Sequence, residues 1–276
     1  MTIDLELHRL YDRVRLVRGK GDRRSGGLCV MTFVALLAGE RHTDAPSTAS
    51  PVVRAFAISL NDAMPDIERQ CLKVFAPRIV GTADGFDPGR AEVLRRVMQR
   101  EVFPRVCADL RDGVLPPGPL HDPCGASVPQ PVEELLCGFT VAAVAEDTPR
   151  NQREVALLAA RLLSVCASSG TTATARSWYW AQAINILDQL CEVGAPRLRR
   201  GPARAHVERL LAANSLAGER TGYISATFVR LRRMFAAVAN SAMTRPAAAV
   251  PATTPEPLSD RDAARSETFV PLVPEA

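Results

Sequence analysis

Apolar residues recur at helical spacing along most of the chain. The clearest stretch is 175–193, which Gly194 follows directly, and residues 28–38 are apolar on nearly every side and end at Gly39. No stretch shows the alternation typical of a strand. The sequence therefore predicts an all-α fold: a helical bundle whose orthogonal N-terminal helices pack with a C-terminal half of longer helices.

The other helices are bounded by capping residues and prolines. Ser50-Pro51 has the pattern of an N-cap followed by the first helical residue, and Pro104 is expected to kink or restart the helix that begins near Arg90. These further helices are predicted at about 3–18, 51–62, 65–77, 90–110, 132–145, 153–165, 202–215 and 223–240.

Two changes of composition suggest domain boundaries. Residues 111–132 contain six prolines and three glycines, which predicts a linker or loop between an N-terminal helical domain (1–110) and a C-terminal helical domain (133–243). Residues 244–276 are rich in Pro, Ala, Thr and Glu, which predicts a disordered tail.

The composition is typical of a globular protein. Hydrophobic residues make up 47% of the 276 residues and charged residues 23%, and the net charge of +4 is too small to imply a polyanionic partner by itself. The N-terminus is acidic where a signal peptide would be basic, and no apolar run reaches the length of a membrane span. We therefore expect a cytoplasmic protein without a membrane partner.

Cysteines and histidines are scattered. The seven cysteines include no C-x-x-C pair, so they indicate neither a disulfide framework nor a zinc site, and they fit a reducing compartment. The four histidines are too far apart in sequence to suggest a metal. We predict no cofactor and no metal.

Residues 26–83 contain a series of short motifs: C-x-M (29–31), G-E-x-x-T-D-x-P (39–46), S-P-V (50–52), N-D (61–62), R-x-x-L (69–72) and R-I-V-G-T (78–82). This series resembles a family of uncharacterised bacterial proteins. Thr32 stands where that family commonly has a glutamate, and His42 replaces an aromatic residue. The resemblance implies a shared fold and no activity.

The first of these motifs raises the question of a catalytic site. Cys29 in the first turn of a helix would favour a thiolate, with His42 as base and Asp44 to orient it. A helix of about eleven residues is roughly 16 Å long, which should keep Cys29 far from His42. The structural interpretation is favoured: Gly39 ends the helix, Asp44 accepts backbone N–H bonds in the turn, and Pro46 prevents the helix from continuing. Glu40 and Asp44 are expected to pair with Arg41, Arg54 or Arg78.

Arginines cluster near the C-terminal end of the helical region, on two successive predicted helices. Such a cluster can contact phosphates without reading a base sequence, although a solvated surface is the more common explanation. The residues concerned are Arg197, Arg199, Arg200, Arg230, Arg232 and Arg233.

The chain ends in T-F-V-P-L-V-P-E-A, where Phe269, Val270, Leu272 and Val273 form a compact apolar peptide that is a candidate for docking to a partner. The sequence favours a non-enzymatic subunit or adaptor that binds another protein or a larger assembly, with this peptide as one contact. A nucleic-acid-associated regulator using the arginines is the alternative, and a Cys-dependent hydrolase or transferase is the second alternative.

Overall fold

The computed structural model describes residues 2–22, 26–116, 119–120, 130–194 and 204–212. Helices make up 73% of them, which confirms the all-α prediction. In chain order the helical elements are α1 (Thr2–Arg13), α2 (Val30–Ala38), α3 (Pro51–Ala63), α4 (Asp66–Arg69), a 3-10 helix (Gln70–Phe75), α5 (Ala76–Ile79), α6 (Asp87–Val97), a π-helical turn (Met98–Val102), α7 (Phe103–Arg111), α8 (Val132–Val144), α9 (Pro149–Ser169), α10 (Ala173–Glu192) and α11 (Arg204–Ala212).

Within the described ranges, five strands of two residues each accompany the helices. β1 (Arg15–Leu16) and β2 (Gly21–Asp22) both pair with β3 (Gly27–Leu28), and β4 (Pro119–Leu120) pairs with β5 (Gln130–Pro131). A Cβ atom at Gly21 would lie 2.3 Å from the carbonyl oxygen of Gly27, so only glycine permits this approach. Strands of two residues are too short to show an alternating pattern, which explains why the sequence did not predict them.

One hydrophobic core includes helices from both sides of the predicted 111–132 linker. α9, the longest helix at 21 residues, packs against α3 and α6 from the N-terminal half and against α8 and α10 from the C-terminal half. Phe56 of α3, Phe139 of α8 and Tyr179 of α10 are all fully buried in this core. The predicted separation into two helical domains is therefore not reflected in the packing of the described residues.

The region predicted as one helix at 65–77 consists of three short pieces. Gln70 explains the irregularity, because its buried side chain bonds to the backbone of β1: Leu16 N donates to Oε1 at 3.0 Å, and Nε2 donates to Leu16 O at 2.9 Å. The prediction that the first helix extends to residue 18 is also wrong, since the chain leaves α1 after Arg13 to form β1.

A π-helical turn joins α6 to α7 just before Pro104. The Phe103 N–H donates to the carbonyl of Met98, five residues earlier. Proline has no N–H and its ring clashes with the carbonyl four residues before it in a regular helix, so the wider turn lets the chain continue. Pro104 thus restarts the helix, as the sequence predicted.

Candidate functional site

The segment after α2 ends the helix as predicted. Gly39 has φ 76° and ψ 16°, and its N–H donates to Leu36 O at 3.2 Å, while Glu40 N donates to Ala35 O at 2.9 Å. The left-handed conformation favours glycine at this position. The imidazole of His206 on α11 lies against this turn, with Nε2 2.8 Å from Leu36 O.

Glu40 organises the loop that follows. Its carboxylate accepts hydrogen bonds from Ser47 N at 2.9 Å, Ser47 Oγ at 3.1 Å and Thr48 N at 3.1 Å. Partial burial would raise the pKa of Glu40, but these hydrogen bonds outweigh it and lower the pKa. Arg78, one of the three arginines expected to pair with Glu40 or Asp44, binds Asp188 instead, at 2.5 Å.

Cys29 is the N-cap of α2, one position before the predicted first turn. Its side chain is 3% exposed, and Sγ accepts a hydrogen bond from Thr32 N at 3.2 Å. Burial raises the pKa of the thiol, and this effect outweighs the hydrogen bonds with Thr32 and Met31, which lower the pKa; the negative charge of Asp44 adds the smallest contribution, which raises it. Burial therefore disfavours the thiolate that a cysteine nucleophile requires.

His42 shares a small pocket with Glu40 along one face of α2. The pocket contains about 200 Å³ of empty space, including the part open to solvent. The space open to the centre of a water molecule is only about 10 Å³, room for about one water, whereas small-molecule sites measure roughly 300–1,000 Å³. Thr32, the hydrogen-bond partner of Cys29, lines the same pocket as His42. The lining residues are Leu28, Thr32, Leu36, Glu40 and His42.

We expect Cys29 to react slowly with a thiol reagent because its side chain is buried and its pKa is raised. In the folded protein it should be modified at least about tenfold more slowly than the exposed Cys107 and Cys137. Timed labelling followed by peptide mass spectrometry measures the three rates. Labelling of Cys29 at or above the rate of Cys137 would contradict this and support a catalytic thiol.

The N-D motif links the start of α2 to the chain just after β1. Asn61 is fully buried; its Oδ1 accepts from Val30 N at 3.2 Å, and its Nδ2 donates to Val17 O at 2.8 Å. The guanidinium of Arg69 donates to the Asn61 carbonyl. These contacts give Asn61 a structural role.

The S-P-V and G-T motifs meet at the start of α3. Ser50 Oγ accepts from the N–H groups of Val52 at 3.1 Å and Val53 at 3.2 Å, which confirms Ser50 as the N-cap. Thr82 Oγ1 accepts from Ser50 N at 2.9 Å and donates to Ile79 O at 2.8 Å. Ser50 thus caps its own helix, and Thr82 links the two motifs by accepting the N–H of Ser50.

A buried arginine that the sequence analysis missed connects this region to α10. Arg90 is fully buried and binds Asp84 at 2.7 Å and Asp87 at 3.1 Å. It also donates to the carbonyls of Leu190 at 3.2 Å and Val193 at 2.8 Å, at the C-terminal end of α10. The available signal was D-x-x-D-x-x-R, with two acidic residues six and three positions before the arginine.

α8 presents an apolar stripe to solvent on the side opposite its buried stripe. Val141 is 62% exposed, Val144 is 78% exposed and Cys137 is exposed. We call these three residues the α8 face. A helix at the surface of a globular protein normally carries polar residues there. The buried stripe of α8 consists of Val132, Leu135, Phe139 and Ala142.

Two predicted sites lie outside the described residues: the apolar peptide at 269–273 and the arginine cluster from Arg197 to Arg233. In the described part of the chain, no three His, Cys, Asp or Glu side chains come together as a metal site. No helix in the described ranges combines the length and apolar character needed to cross a membrane.

Comparisons with known protein families, with curated proteins and with solved structures find no match for this chain.

Proposed function

We propose that this protein is non-catalytic and works by binding another protein through the α8 face. The observation that carries the proposal is the exposure of Val141 and Val144 together with Cys137, at spacings of four and three residues along one helix. Contiguous exposed apolar surface is typical of protein–protein contacts. A groove-binding helix would make its contacts at the same spacing.

The region of Cys29 and His42 supports a structural role rather than catalysis. Cys29 is buried with a raised pKa, and the adjacent pocket is smaller than typical ligand sites. The carboxylate of Glu40 is occupied by three hydrogen bonds from the loop. These contacts argue against the hydrolase or transferase alternative.

Membership of the bacterial family remains a proposal from the sequence motifs. The hydrogen bonds of Asn61, Ser50 and Thr82 support it in one respect, because they give the motifs a reason to occur together in one fold. The apolar peptide at 269–273 remains a second candidate contact with a partner. Nucleic-acid binding by the arginine cluster remains the alternative function.

Replacing two residues of the α8 face tests the proposal. We expect V141S/V144S to lose a protein that co-purifies with the wild-type chain, because both side chains would bury apolar surface in the complex. Co-purification from the native host, followed by mass spectrometry, measures the loss.

I67S/F86S is the matched control, because it also replaces two exposed apolar residues, and these lie outside α8: Ile67 is 47% exposed and Phe86 is 45% exposed. Each surface substitution should change the free energy of unfolding by no more than about 0.5 kcal/mol. Both double variants should therefore stay folded. Recovery of the same proteins with V141S/V144S as with the control would reject the α8 face as the binding surface.

A further inference from the structure

We propose that residues 223–240 of this chain bind the α8 face as an amphipathic helix and mask it. The inference rests on the proposed function, because both concern the α8 face. In this proposal the segment regulates partner binding by covering that face. It is carried by three observations: the spacing of apolar residues, the charges around them and the length of the connecting chain.

The apolar residues of 223–240 have the spacing of a helix–helix seam. Five of them follow each other at intervals of 4, 3, 4 and 3 residues, which keeps them on one side of a helix packed against another. On α8 the exposed residues Cys137, Val141 and Val144 have intervals of 4 and 3. The seam residues of 223–240 are Ile224, Phe228, Leu231, Phe235 and Val238.

The charges of the two segments are opposite. Residues 132–148 contain four acidic residues and no basic residue, whereas residues 223–240 contain three arginines and no acidic residue. Glu133 and Glu134 at one end of α8 and Glu146 beyond the other end are exposed. Opposite charges favour this pairing over a second copy of α8, which would bring like charges together. The arginines are Arg230, Arg232 and Arg233.

The connection is long enough. α11 ends at Ala212, so residues 213–223 connect it to the first seam residue, Ile224. An extended connection of this length spans up to about 40 Å. That is on the order of the diameter of a domain of this size, so the segment can reach α8 of its own chain.

Cys137 allows a direct test in the full chain, because it is an exposed thiol on the α8 face. Single variants F228C, L231C and F235C place a second thiol on the seam. A226C is the matched control, because position 226 faces away from the seam if the segment is helical. After mild oxidation, peptide mass spectrometry identifies each disulfide, and a non-reducing gel separates bridges within one chain from bridges between chains.

We expect at least one seam variant to form an intrachain bridge to Cys137. The yield of this bridge should be at least about tenfold higher than the yield of the bridge between A226C and Cys137. It should also be at least about tenfold higher than the yield of any bridge to the exposed Cys107, since a disulfide requires Cβ atoms about 4 Å apart. The bridge should disappear when C137S is added. Bridges between chains, yields equal to those of A226C, or no bridge from any seam variant would overturn the inference.

The two proposals fail in different ways. If the bridge forms but V141S/V144S retains every partner, the segment covers α8 and the proposed partner site is wrong. If no bridge forms but V141S/V144S loses a partner, the site is retained and the masking segment is wrong.

Discussion

Replacing Arg90 with methionine is expected to lower the free energy of unfolding by about 3–5 kcal/mol, because it leaves two acidic side chains without their cation. Asp84, with a side chain 6% exposed, and Asp87, at 21%, both pair with this arginine. The carbonyls of Leu190 and Val193 would also lose their donor. Urea unfolding at neutral pH measures the change.

The exposed Arg96 on the same helix supplies the control. R96M should change the free energy of unfolding by no more than about 0.5 kcal/mol. D84N/R90M should recover part of the loss of R90M, since the doubly substituted protein no longer buries an unpaired Asp84 carboxylate. A loss in R90M no larger than that in R96M would show that the buried network does not hold α10 in place.

Replacing Lys73 with methionine is expected to remove a dependence of stability on alkaline pH. Lys73 is 9% exposed, and its Nζ donates to Tyr11 O at 3.0 Å. Burial lowers the pKa of Lys73 to about 8, despite the opposing charge of Asp12. The unfolded chain, with a lysine pKa of about 10.4, therefore holds more protons than the folded chain between pH 8 and 10.4, and wild-type stability rises with pH in that range.

The difference between the two proteins isolates this effect. From pH 7.5 to pH 10.5, the free energy of unfolding of the wild type should gain about 2–3 kcal/mol relative to K73M. Urea unfolding at both pH values gives the four free energies. The other lysine, Lys20, is exposed and serves as control. The lowered pKa would be contradicted if the difference in free energy of unfolding between wild type and K73M stays constant over this pH range. It would also be contradicted if K20M changes the pH dependence of the free energy of unfolding as much as K73M does.

Local features of the fold were predictable where the residues that form them are close in sequence. Ser50 and Pro51 identify the start of α3 because an N-cap acts on backbone groups two and three residues away. Gly39 identifies the end of α2 for the same reason. The prediction of one helix at 65–77 was wrong because Gln70 bonds to Leu16 of β1, 54 residues away. No local sequence pattern indicates such a contact.

In the candidate site, too, the sequence predicted local features better than contacts between distant residues. The buried thiol of Cys29 and the structural use of Glu40 were consistent with the sequence interpretation, but the sequence named arginines as the partners of Glu40, whereas Ser47 and Thr48 bind it. Arg90 was missed because two of its partners are carbonyls of α10, about a hundred residues later. Every residue has a backbone carbonyl, so the sequence does not show which carbonyl accepts a hydrogen bond.

The π-helical turn at Met98–Val102 sets the phase of the helix that follows it. It holds more residues than a regular turn, and one residue corresponds to a rotation of about 100°. Val106 and Asp109 of α7 are buried in this arrangement, and Asp109 receives the Tyr179 hydroxyl at 2.8 Å. Gln99 and Arg100 are exposed, so their side chains are free to vary, but the number of residues between α6 and α7 is not. Loss of a single residue there would turn Asp109 away from Tyr179 and put Pro104 back into a regular helix.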